Sequence, residues 1–558
     1  MRARALMVLG TASNAGKSIT VAALCRIFAD RGVNVVPFKA QNMSLNAAVT
    51  PDGREIGRAQ AVQAEAARRP AEVEMNPVLL KPSSDRRSQV ILEGVIWDDV
   101  DAWDYHRRRT AELFPRIVAA YERLAARCDL VILEGAGSPA EINLKDRDVV
   151  NLRMAQAADA PCLLVADIDR GGAFAALAGT LALLEPHERE RIAAFAITKF
   201  RGDRDLLTPG IVEMERRLGI PCAGVVPWIP DLGIDEEDGY ALPPTLRAWP
   251  DEHGPARRLR VAVIDAPFFA NETDADALAA EPSVIVRRIA TPDGLFAADV
   301  VVIPGSKETA ADLRWIREHN IDRAILAHAA AGRPTIGICG GMQMLGHRID
   351  DPHGIESGGT IEGLGLLPLT TTLASRKTTR RVHGEVSAPH LFGQPLTHTT
   401  FDGYEIHVGI SQREEAASTP FALLCAAPPF DKLRMTGGRR LFATDARRSE
   451  LITRHPELVE GRRGTTETWP DGAISAGGNV VGTYVHGLFD DDACRHAAVD
   501  AMRAAAGLAP AVERSAWRAE REGRYDRLAS VYAQSLDVDL LTRLAGLGAS
   551  AKPAPLRT

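Results

Sequence analysis

Short apolar runs alternate with longer segments of helical spacing through the N-terminal part of the chain. Each run is followed closely by Gly, Asp, Glu or Lys, whereas residues 18–30 and 111–127 repeat apolar positions at helical intervals. This alternation predicts a mostly parallel sheet with helices on both faces. Ligands bind such sheets at the carboxyl ends of the strands, where these polar residues fall. The predicted strands are residues 5–9, 33–38, 130–133, 162–166 and 193–197.

A second α/β pattern begins at residue 259, after a stretch that is rich in proline and charge. We interpret residues 239–258 as an interdomain linker. Two further apolar runs, residues 300–303 and 335–338, each end in a turn that contains glycine. The predicted organisation is a first domain over 1–240, a linker over 241–258, a second domain over 259–506 and a helical tail over 507–558.

Two segments near the C-terminus depart from the α/β pattern. Residues 413–469 carry many charges and little periodicity, which is unusual for a loop inside a compact domain, so we predict a surface insertion there. Residues 518–547 have helical spacing. We expect this tail to pack on the second domain.

Composition narrows the class of protein. The 558 residues exceed what one hydrophobic core usually supports, so at least two domains are expected. The formal net charge of −7 gives no basic face, so nucleic-acid binding is not expected. No apolar stretch reaches the length of a membrane span. Seven scattered cysteines without CxxC pairs favour a reducing cytoplasm over a disulfide framework or a structural zinc site.

A phosphate-binding loop follows the first predicted strand and opens a helix. Its sequence runs from Gly10 and Thr11 to Gly16, Lys17 and Ser18. Backbone N–H groups of such a loop cradle phosphates, while Lys17 would neutralise the β/γ oxygens and Ser18 could ligate Mg²⁺. A chance glycine-rich turn is the competing interpretation, but the strand–helix context favours nucleotide binding. The spacing, one residue longer than usual, resembles the dethiobiotin synthetase branch of P-loop proteins.

Charged residues end several of the other predicted strands. Glu134 follows residues 130–133 and is placed to hold Mg²⁺ directly or through water, although a solvated loop is the alternative. Lys39 could reach a transferred phosphoryl group or could simply be a surface lysine. Asp167 and Asp169 could bind metal, orient substrate or cap the next helix. Lys199 lies where many P-loop proteins contact the nucleotide base.

A cysteine in a glycine-rich turn is the strongest candidate nucleophile. Cys339 lies between an apolar run and a predicted helix, whose N-terminus would favour the thiolate. His486 ends another apolar run beside a glycine and is the best candidate base. The N–H groups of Gly305 and Gly340 could form an oxyanion hole. A buried structural cysteine is the competing interpretation. Glu405 and His407 remain open, either as substrate contacts or as satisfied internal groups.

Several motifs together carry a family resemblance. ICGGMQMLG, PGSK and TYVHGLF resemble the glutaminase domain of class I glutamine amidotransferases. Those enzymes place a glutamate two residues after the histidine, where this chain has Leu488. In this respect the chain resembles the branch of cobyrinic and cobyric acid synthases, which works with a Cys–His pair. The chain is similar to the cobyric acid synthase family in PFKAQNMSLNAAVTPDGREIGRAQAVQAEAA, MNPVLLKP, LEGAGSPAEINL, VADIDRGGAFA and KFRGD. One departure is Thr198, where an asparagine is expected.

The resemblance implies a fold and a reaction. The fold is a doubly wound P-loop sheet of the dethiobiotin synthetase kind followed by a class I amidotransferase α/β domain. The reaction is ATP-, Mg²⁺- and glutamine-dependent amidation of the b, d, e and g carboxylates of adenosylcobyrinic acid a,c-diamide, a corrinoid. Ammonia released from L-glutamine would travel along a protected path to an acyl phosphate.

Three alternatives remain beside this activity. Cobyrinic acid a,c-diamide synthase performs the same chemistry on two other carboxylates. A regulatory P-loop ATPase would have a second lysine early in the loop, where this chain has Thr11 and Ala12. A scaffold with a degenerate glutaminase would explain the missing carboxylate at Leu488.

Overall fold

The architecture is known from a computed structural model of the chain. It describes residues 3–82, 87–101, 105, 108–234, 249–395, 399–414, 418–427 and 467–548. We call residues 3–234 the N-terminal half and residues 249–515 the C-terminal half. None of the described helices is both long and apolar enough to cross a membrane.

The N-terminal half is built on a six-stranded parallel sheet with β1 near its centre. The strand order is β12-β11-β10-β1-β9-β2. Its strands are mostly apolar because both faces are buried, one against each of two hydrophobic clusters. The strands of this half are β1 (Arg4–Gly10), β2 (Val35–Phe38), β3 (Gln41–Met43), β4 (Ala47–Val49), β5 (Glu55–Gly57), β6 (Val78–Pro82), β7 (Arg87–Leu92), β8 (Val95–Asp101), β9 (Leu130–Glu134), β10 (Cys162–Asp167), β11 (Ile192–Phe200) and β12 (Cys222–Pro227).

The α-helices described in this half cover the two faces of the sheet. They are α1 (Lys17–Asp30), α2 (Arg58–Ala66), α3 (Phe114–Ala125), α4 (Leu152–Ala158), α5 (Ala173–Leu183), α6 (Pro186–Arg189) and α7 (Arg204–Leu218). Each predicted strand and both predicted helices of this half are present. A smaller sheet of order β3-β6-β7-β8 and the β4–β5 hairpin were not predicted. Polar residues interrupt or end most of their strands, such as RSQVIL of β7 and VIWDDVD of β8, so they left no long apolar run in the sequence.

The C-terminal half combines a parallel sheet with a largely antiparallel one. The first has the order β15-β13-β16-β18-β28-β27, and the second has the order β20-β19-β21-β24-β29 with β25 and β26 attached. The second sheet was not predicted. The strands are β13 (Leu259–Ile264), β14 (Phe269–Ala270), β15 (Val284–Ile289), β16 (Val300–Ile303), β17 (Gly305–Ser306), β18 (Thr335–Ile338), β19 (Arg348–Asp351), β20 (Gly359–Glu362), β21 (Leu369–Val386), β22 (His390–Leu391), β23 (Gln394–Pro395), β24 (Thr400–Arg413), β25 (Ala422–Ala426), β26 (Thr468–Asp471), β27 (Ala473–Ile474), β28 (Val480–Thr483) and β29 (Val485–His486).

Helices of the C-terminal half pack on its parallel sheet, and two more helices follow it. Those of the half are α8 (Asp276–Ala279), α9 (Pro292–Phe296), α10 (Thr309–Glu318), α11 (Ile321–Ala330), α12 (Gly340–Leu345) and α13 (Asp492–Ala505). The last two, α14 (Trp517–Ser535) and α15 (Val538–Leu544), we call the tail helices.

The tail helices pack mainly on the N-terminal half, so the expectation that they pack on the second domain was wrong. Their buried residues belong to the hydrophobic cluster of α1. Tyr532 bonds through its hydroxyl to Thr20 at 3.2 Å, and Glu522 accepts from the fully buried Arg26 at 2.8 Å. Helical spacing shows that a face is apolar but not which surface covers it. Trp517, at the start of α14, does join the core of the C-terminal half.

The predicted insertion at 413–469 is too wide at both ends. Strand β25 pairs with β21 and β26, so residues 422–426 and 468–471 belong to the second sheet. Residues 428–466 lie outside the described residues. Residues 239–248 of the predicted linker also lie outside them, while Trp249 packs on the C-terminal core and donates to the carbonyl of Gly294 at 3.0 Å. The domain boundaries stay a prediction.

Candidate active site

The phosphate loop connects β1 to α1 at the carboxyl edge of the first sheet. Gly16 has φ of 89°, a left-handed conformation that favours glycine, and immediately precedes α1. The buried ammonium of Lys17 donates to the carbonyls of Ala12 and Gly137, at 2.9 and 3.0 Å. The N–H of Thr11 donates to Val165 of β10 at 3.0 Å, so that amide is already used within the sheet.

Glu134 gathers three side chains beside this loop. Its Oε1 accepts from Ser18 at 2.7 Å and from Lys39 at 3.0 Å, and its Oε2 accepts from Gln63 at 2.5 Å. Burial raises the pKa of Glu134, but the charge of Lys39 and hydrogen bonds from Gln63, Ser18 and Lys39 lower it further, so the net shift is downward. Glu134 is therefore a buried carboxylate, and Lys39 is a buried ion-pair partner rather than a surface lysine.

The donor set around Glu134 fits a hard cation. A carboxylate and a hydroxyl from one edge of a P-loop sheet are typical Mg²⁺ ligands when nucleotide phosphates complete the shell. Within the described ranges, no group of three or more His, Cys, Asp or Glu side chains could hold a metal ion by itself. A metal here would therefore depend on Ser18, Glu134 and the phosphates together.

The remaining polar residues at the strand ends pair with one another or bond to the backbone of the phosphate loop. Asp167 pairs with Lys199 at 3.2 Å, and Asp169 pairs with Arg201 at 2.9 Å. Neither aspartate caps α5, which begins after Gly172 without a side-chain cap. Lys199 donates to the carbonyl of Asn14 at 2.6 Å. The buried Thr198, which replaces the expected asparagine, donates to the carbonyl of Ala15 at 2.8 Å and so supports the loop from inside.

Cys339 occupies a sharp turn between β18 and α12. Its φ of 52° and ψ of −110° are strained for a residue with a side chain, which is the geometry of a nucleophile elbow. A Cβ added at Gly341 would lie 1.9 Å from the carbonyl oxygen of Ile303, so only glycine fits after the elbow. The thiol donates to the carbonyl of Ile406 at 3.6 Å and lies within hydrogen-bonding reach of His486.

His486 has a carboxylate partner that the sequence did not reveal. Its Nδ1 donates to Oδ2 of Asp274 at 2.7 Å, and Oδ1 of the same carboxylate accepts from the N–H of Gly487 at 2.8 Å. Asp274 is 7 % exposed and lies in a short 3₁₀ turn (Glu272–Ala275) after β14. Leu488, where class I enzymes have glutamate, is buried in the apolar core. The third member of this arrangement therefore comes from another part of the chain.

The two predicted oxyanion donors lie against each other. A Cβ at Gly340 would be 2.8 Å from the nitrogen of Ser306, and one at Gly305 would be 3.1 Å from Cε1 of His486. Gly340 is the first residue of α12, where N–H groups have no intrahelical acceptor. Asp312 fixes the facing turn, because its carboxylate accepts from Ser306 Oγ at 2.5 Å and from the N–H of Phe268 at 2.9 Å.

A pocket of about 560 Å³ opens from Cys339 and is lined by both halves. Lys81 and Gln89 of the N-terminal half face it together with Lys377 and His407 of the C-terminal half. Glu405, one of the two residues left open above, forms an ion pair with Arg380 and is an internal group. His407 lines the pocket, and its Nδ1 donates to the carbonyl of Gly409 at 2.8 Å.

The structure therefore brings the predicted residues of each candidate site close together. The sequence pointed to Lys17, Ser18 and Glu134 at one site and to Cys339 and His486 at the other. It missed Gln63, Asn271, Asp274 and Asp312. Asp274 follows a strand end, as Glu134 does, but it is one of several acids in that segment and no spacing singles it out.

Comparison with known proteins shows which family this chain is similar to. Residues 6–240 match the CobQ/CobB/MinD/ParA nucleotide binding domain, and residues 260–427 match the CobB/CobQ-like glutamine amidotransferase domain. A cobyric acid synthase of Sorangium cellulosum (strain So ce56) is 46 % identical over 560 residues, which covers 98 % of this chain and 99 % of that protein.

The chain belongs to the cobyric acid synthase family.

Members from distant bacteria are similar over almost their full lengths. Cobyric acid synthases of Yersinia enterocolitica (serotype O:8 / biotype 1B, strain NCTC 13174 / 8081) and Moorella thermoacetica (strain ATCC 39073 / JCM 9320) are 44 % and 43 % identical. The alignments cover 97 % of this chain and 97 % of the first protein, and 98 % of each chain for the second.

Membership in the cobyric acid synthase family confirms the predicted resemblance and the fold class. The chain is a glutamine-dependent amide ligase of cobalamin biosynthesis, with a nucleotide-binding domain followed by a glutamine amidotransferase domain. The individual roles of the site residues stay predictions.

Proposed function

We propose that this chain converts the b, d, e and g carboxylates of adenosylcobyrinic acid a,c-diamide into amides, giving adenosylcobyric acid. Each amidation would consume one ATP and one L-glutamine. The observation that carries the proposal is the presence, on one chain, of the Glu134–Lys39–Ser18 cluster beside a phosphate loop and of Cys339 with His486 and Asp274 in a second pocket. The free cysteines support a reducing, cytoplasmic compartment.

The N-terminal half activates the acceptor carboxylate. A carboxylate oxygen of the corrinoid attacks the γ-phosphorus of ATP, ADP leaves, and an acyl phosphate forms. Lys17 would exchange its bonds to Ala12 and Gly137 for phosphate oxygens, and Lys39 would offset charge from beside Glu134. Mg²⁺ held by Ser18 and Glu134 would supply further neutralisation of the phosphates. The nucleotide-binding loop extends from Gly10 through Thr11 to Gly16.

The C-terminal half supplies ammonia. The thiolate of Cys339 attacks the amide carbon of glutamine while His486 gives a proton to the leaving ammonia, and water then hydrolyses the thioester to glutamate. The N–H groups of Gly340 and Gly305 would stabilise the oxyanion that forms in each step. Asp274 would keep His486 in the tautomer and orientation that the proton transfers require.

The two products then meet at the acyl carbon. Ammonia attacks it, phosphate leaves, and the amide remains. Ammonia loses its nucleophilicity once it is protonated, so it must pass between the sites without contact with bulk water. The pocket of Cys339 is lined in part by Lys81 and Gln89, so it borders the half that holds the nucleotide site.

Two substitutions separate the half-reactions. Cys339→Ala should abolish glutamine-dependent amidation and leave amidation with added ammonia near the parental rate, because the nucleotide site is intact. Lys17→Ala should stop both, because no acyl phosphate forms. Cys128→Ala, which changes a part-buried cysteine outside the pocket, is the matched control. Product formation is followed by chromatography with both nitrogen sources.

The outcomes also separate the competing functions. Mass spectrometry of the corrinoid product counts the amides. Two new amides on cobyrinic acid, with none added to its a,c-diamide, would identify cobyrinic acid a,c-diamide synthase. Glutamine-dependent activity in Cys339→Ala would remove this cysteine from the mechanism. Absence of any amidation in the parent protein with either nitrogen source would favour a regulatory P-loop ATPase with a degenerate glutaminase.

A further inference from the structure

The backbone of one residue in the N-terminal half bonds to two side chains of the C-terminal half. The N–H of Ala47 donates to Oδ1 of Asn271 at 3.1 Å, and the carbonyl of Ala47 accepts from the hydroxyl of Tyr404 at 3.3 Å. Ala47 is buried and begins the β4–β5 hairpin. We call residues 47–57 the docking hairpin.

Both partners of Ala47 pack on the ring of His486. Nδ2 of Asn271 lies 3.5 Å from Nδ1 and 3.4 Å from Nε2 of the imidazole. An atom this close to both nitrogens and almost equidistant from them lies over the face of the ring, since a position in the ring plane would overlap Cε1. Tyr404 stacks on the same ring with centroids 5.3 Å apart. The hydrogen bond from Nδ1 to Asp274 fixes only one edge of the imidazole. The contacts of Asn271 and Tyr404 with the ring restrict its tilt about that bond.

The docking hairpin also reaches the neighbour of Cys339. Ala47 and Val49 form a buried apolar cluster with Ile406 of the C-terminal half. The carbonyl of Ile406 accepts from the thiol of Cys339 at 3.6 Å. One hairpin of the N-terminal half therefore touches residues that contact both the nucleophile and the base.

The other end of the docking hairpin leads into the nucleotide site. Strand β5 ends at Gly57, and α2 begins with the next residue. Gln63 of α2 donates to Glu134 at 2.5 Å. The buried Asn76 accepts from the N–H of Gly57 at 3.2 Å, which fixes the junction between hairpin and helix. A continuous stretch of chain thus joins Glu134 to the side chains that hold His486.

We propose that Asn271 and Tyr404 are positioning residues of the glutaminase and that the backbone of Ala47, from the other half, holds them in place. The proposal rests on the proposed function, since it assigns how the base of that same site is oriented. His486 faces the thiol of Cys339 in the productive orientation while the docking hairpin is bound. The glutaminase site is therefore completed by a segment that lies outside the glutaminase domain.

Two substitutions test the role at low cost to the fold. Tyr404→Phe removes the hydroxyl that bonds to Ala47 and keeps the ring on His486. Asn271→Gly removes the amide and keeps the left-handed φ of 56°, which glycine adopts freely. We expect kcat for glutamine hydrolysis to fall about 5-fold and about 30-fold, with KM changed less than about 2-fold, because alignment serves the chemical step rather than substrate binding.

Matched measurements exclude a general structural effect. Tyr525→Phe removes a tyrosine hydroxyl that donates to Glu65 at 2.9 Å and does not line the pocket, so it should keep the parental kcat. Amidation with added ammonia should stay near the parental rate in both test variants. The double variant should be little slower than Asn271→Gly alone, because both substitutions act on one ring. The rate of Cys339 alkylation by iodoacetamide should change in parallel with kcat.

Several results would overturn the proposal. Parental kcat in both variants, a higher KM with unchanged kcat, or an equal loss of ammonia-dependent amidation would each contradict a positioning role. Cys339→Ala separates this failure from failure of the proposed function. If that variant loses glutamine-dependent amidation while Tyr404→Phe and Asn271→Gly behave as the parent, only the positioning role is wrong.

Discussion

Asp274 raises the pKa of His486 and so changes the protonation state of its imidazole at neutral pH. Burial lowers the pKa of His486, but the charge of Asp274, its hydrogen bond and the nearby thiol of Cys339 raise it to about 10. The imidazole is therefore protonated at neutral pH. A proton-bearing His486 therefore lies within hydrogen-bonding reach of Cys339, which is the arrangement that the proposed proton transfer to ammonia requires.

Replacing that carboxylate gives a prediction at the scale of one residue. In Asp274→Asn the burial of His486 is no longer offset by a charge, so its pKa falls and the imidazolium is lost at lower pH. We expect kcat for glutamine hydrolysis at pH 7 to fall about 100-fold or more, and the His486 limb of the pH–rate profile to move to lower pH. Stopped assays of glutamate release across pH 5 to 10 measure both effects.

A second histidine–aspartate pair serves as the control. Asp402 accepts from Nδ1 of His383 at 2.9 Å and raises the pKa of that histidine, but neither residue lines the pocket of Cys339. Asp402→Asn should leave the pH–rate profile unchanged. A parental profile in Asp274→Asn would show that His486 is oriented by other groups.

Residues with a recognisable chain context could be predicted, and those without it could not. Lys17, Ser18 and Cys339 lie in turns whose glycines and neighbours point to one chemistry. Asp274 and Asn271 act only because folding brings a distant segment against His486. Their contacts have no counterpart in sequence spacing.

At the scale of elements, β-strands that are buried on both faces could be predicted from the sequence more readily than strands with one exposed face. Most strands of the two mainly parallel sheets are short apolar runs, so they were visible in the sequence, whereas β12, β15 and β27 were not predicted. Strand β21 has mixed exposure over 18 residues and many threonines and arginines, so it resembled irregular chain. The antiparallel sheet that carries Glu405 and His407 was missed for this reason.

The ends of the predicted insertion lie at neighbouring positions of that sheet. Cys425 of β25 faces Thr468 of β26 across an antiparallel pair. Residues 428–466, which lie outside the described residues, therefore connect two strand ends that a short turn could join. Their low apolar periodicity gives little surface to bury against the entropy of ordering them.

Replacement of residues 428–463 with a short Gly/Ser linker should leave the enzyme intact. We expect glutamine- and ammonia-dependent amidation within about 2-fold of the parent and a thermal midpoint that is unchanged or slightly higher, because halving a flexible loop recovers only about 0.6 kcal/mol. A Gly/Ser replacement of the original length separates loop length from loop sequence. A large fall in activity or midpoint in both would show that the segment packs on the C-terminal half.

At the scale of the whole molecule, the two halves share a buried ion cluster. Glu55 of the docking hairpin is 1 % exposed and pairs with Lys81 of its own half at 2.6 Å and with Lys377 of the other half at 2.5 Å. Burial raises the pKa of Glu55, but the charges of Lys377 and Lys81 lower it to about 2. Burial lowers the pKa of Lys377 to about 8. The halves are therefore joined by charge as well as by apolar contacts.

Glu55→Gln should destabilise the docked molecule. It leaves two buried lysines without their countercharge, and breaking a buried pair on one side costs about 3–5 kcal/mol. Because the pKa of Glu55 is depressed in the folded state, its contribution is fully present above about pH 4.5 and is lost as the pH falls through about 2. Thermal unfolding of parent and variant at pH 7 and at lower pH measures the difference.

An exposed carboxylate provides the comparison for this variant. Glu213 pairs with Arg216 at 2.7 Å, and their side chains are 42 % and 69 % exposed. Glu213→Gln should cost far less, since water replaces the lost partner on both sides. Equal midpoints for the parent and Glu55→Gln would mean that the cluster does not hold the halves together.

The two domains could be predicted from the sequence, but their docking could not. Each domain has its own strand pattern and motifs, which are formed by residues close together in the sequence and can be recognised there. The contacts of Lys377 with Glu55 and of Tyr404 with Ala47 join residues more than 300 positions apart. No period or spacing encodes such pairs, and the mistaken position of the tail helices has the same cause.

The return of the tail helices to α1 sets an order of completion during synthesis. The ribosome makes the N-terminal half first, yet the face of α1 that carries Arg26 and Thr20 stays uncovered until α14 has emerged. Strand β29 and α13 precede α14, so the C-terminal half has all its strands before the N-terminal half can close. A chain truncated before Trp517 would possess every candidate catalytic side chain but would leave this face of α1 uncovered.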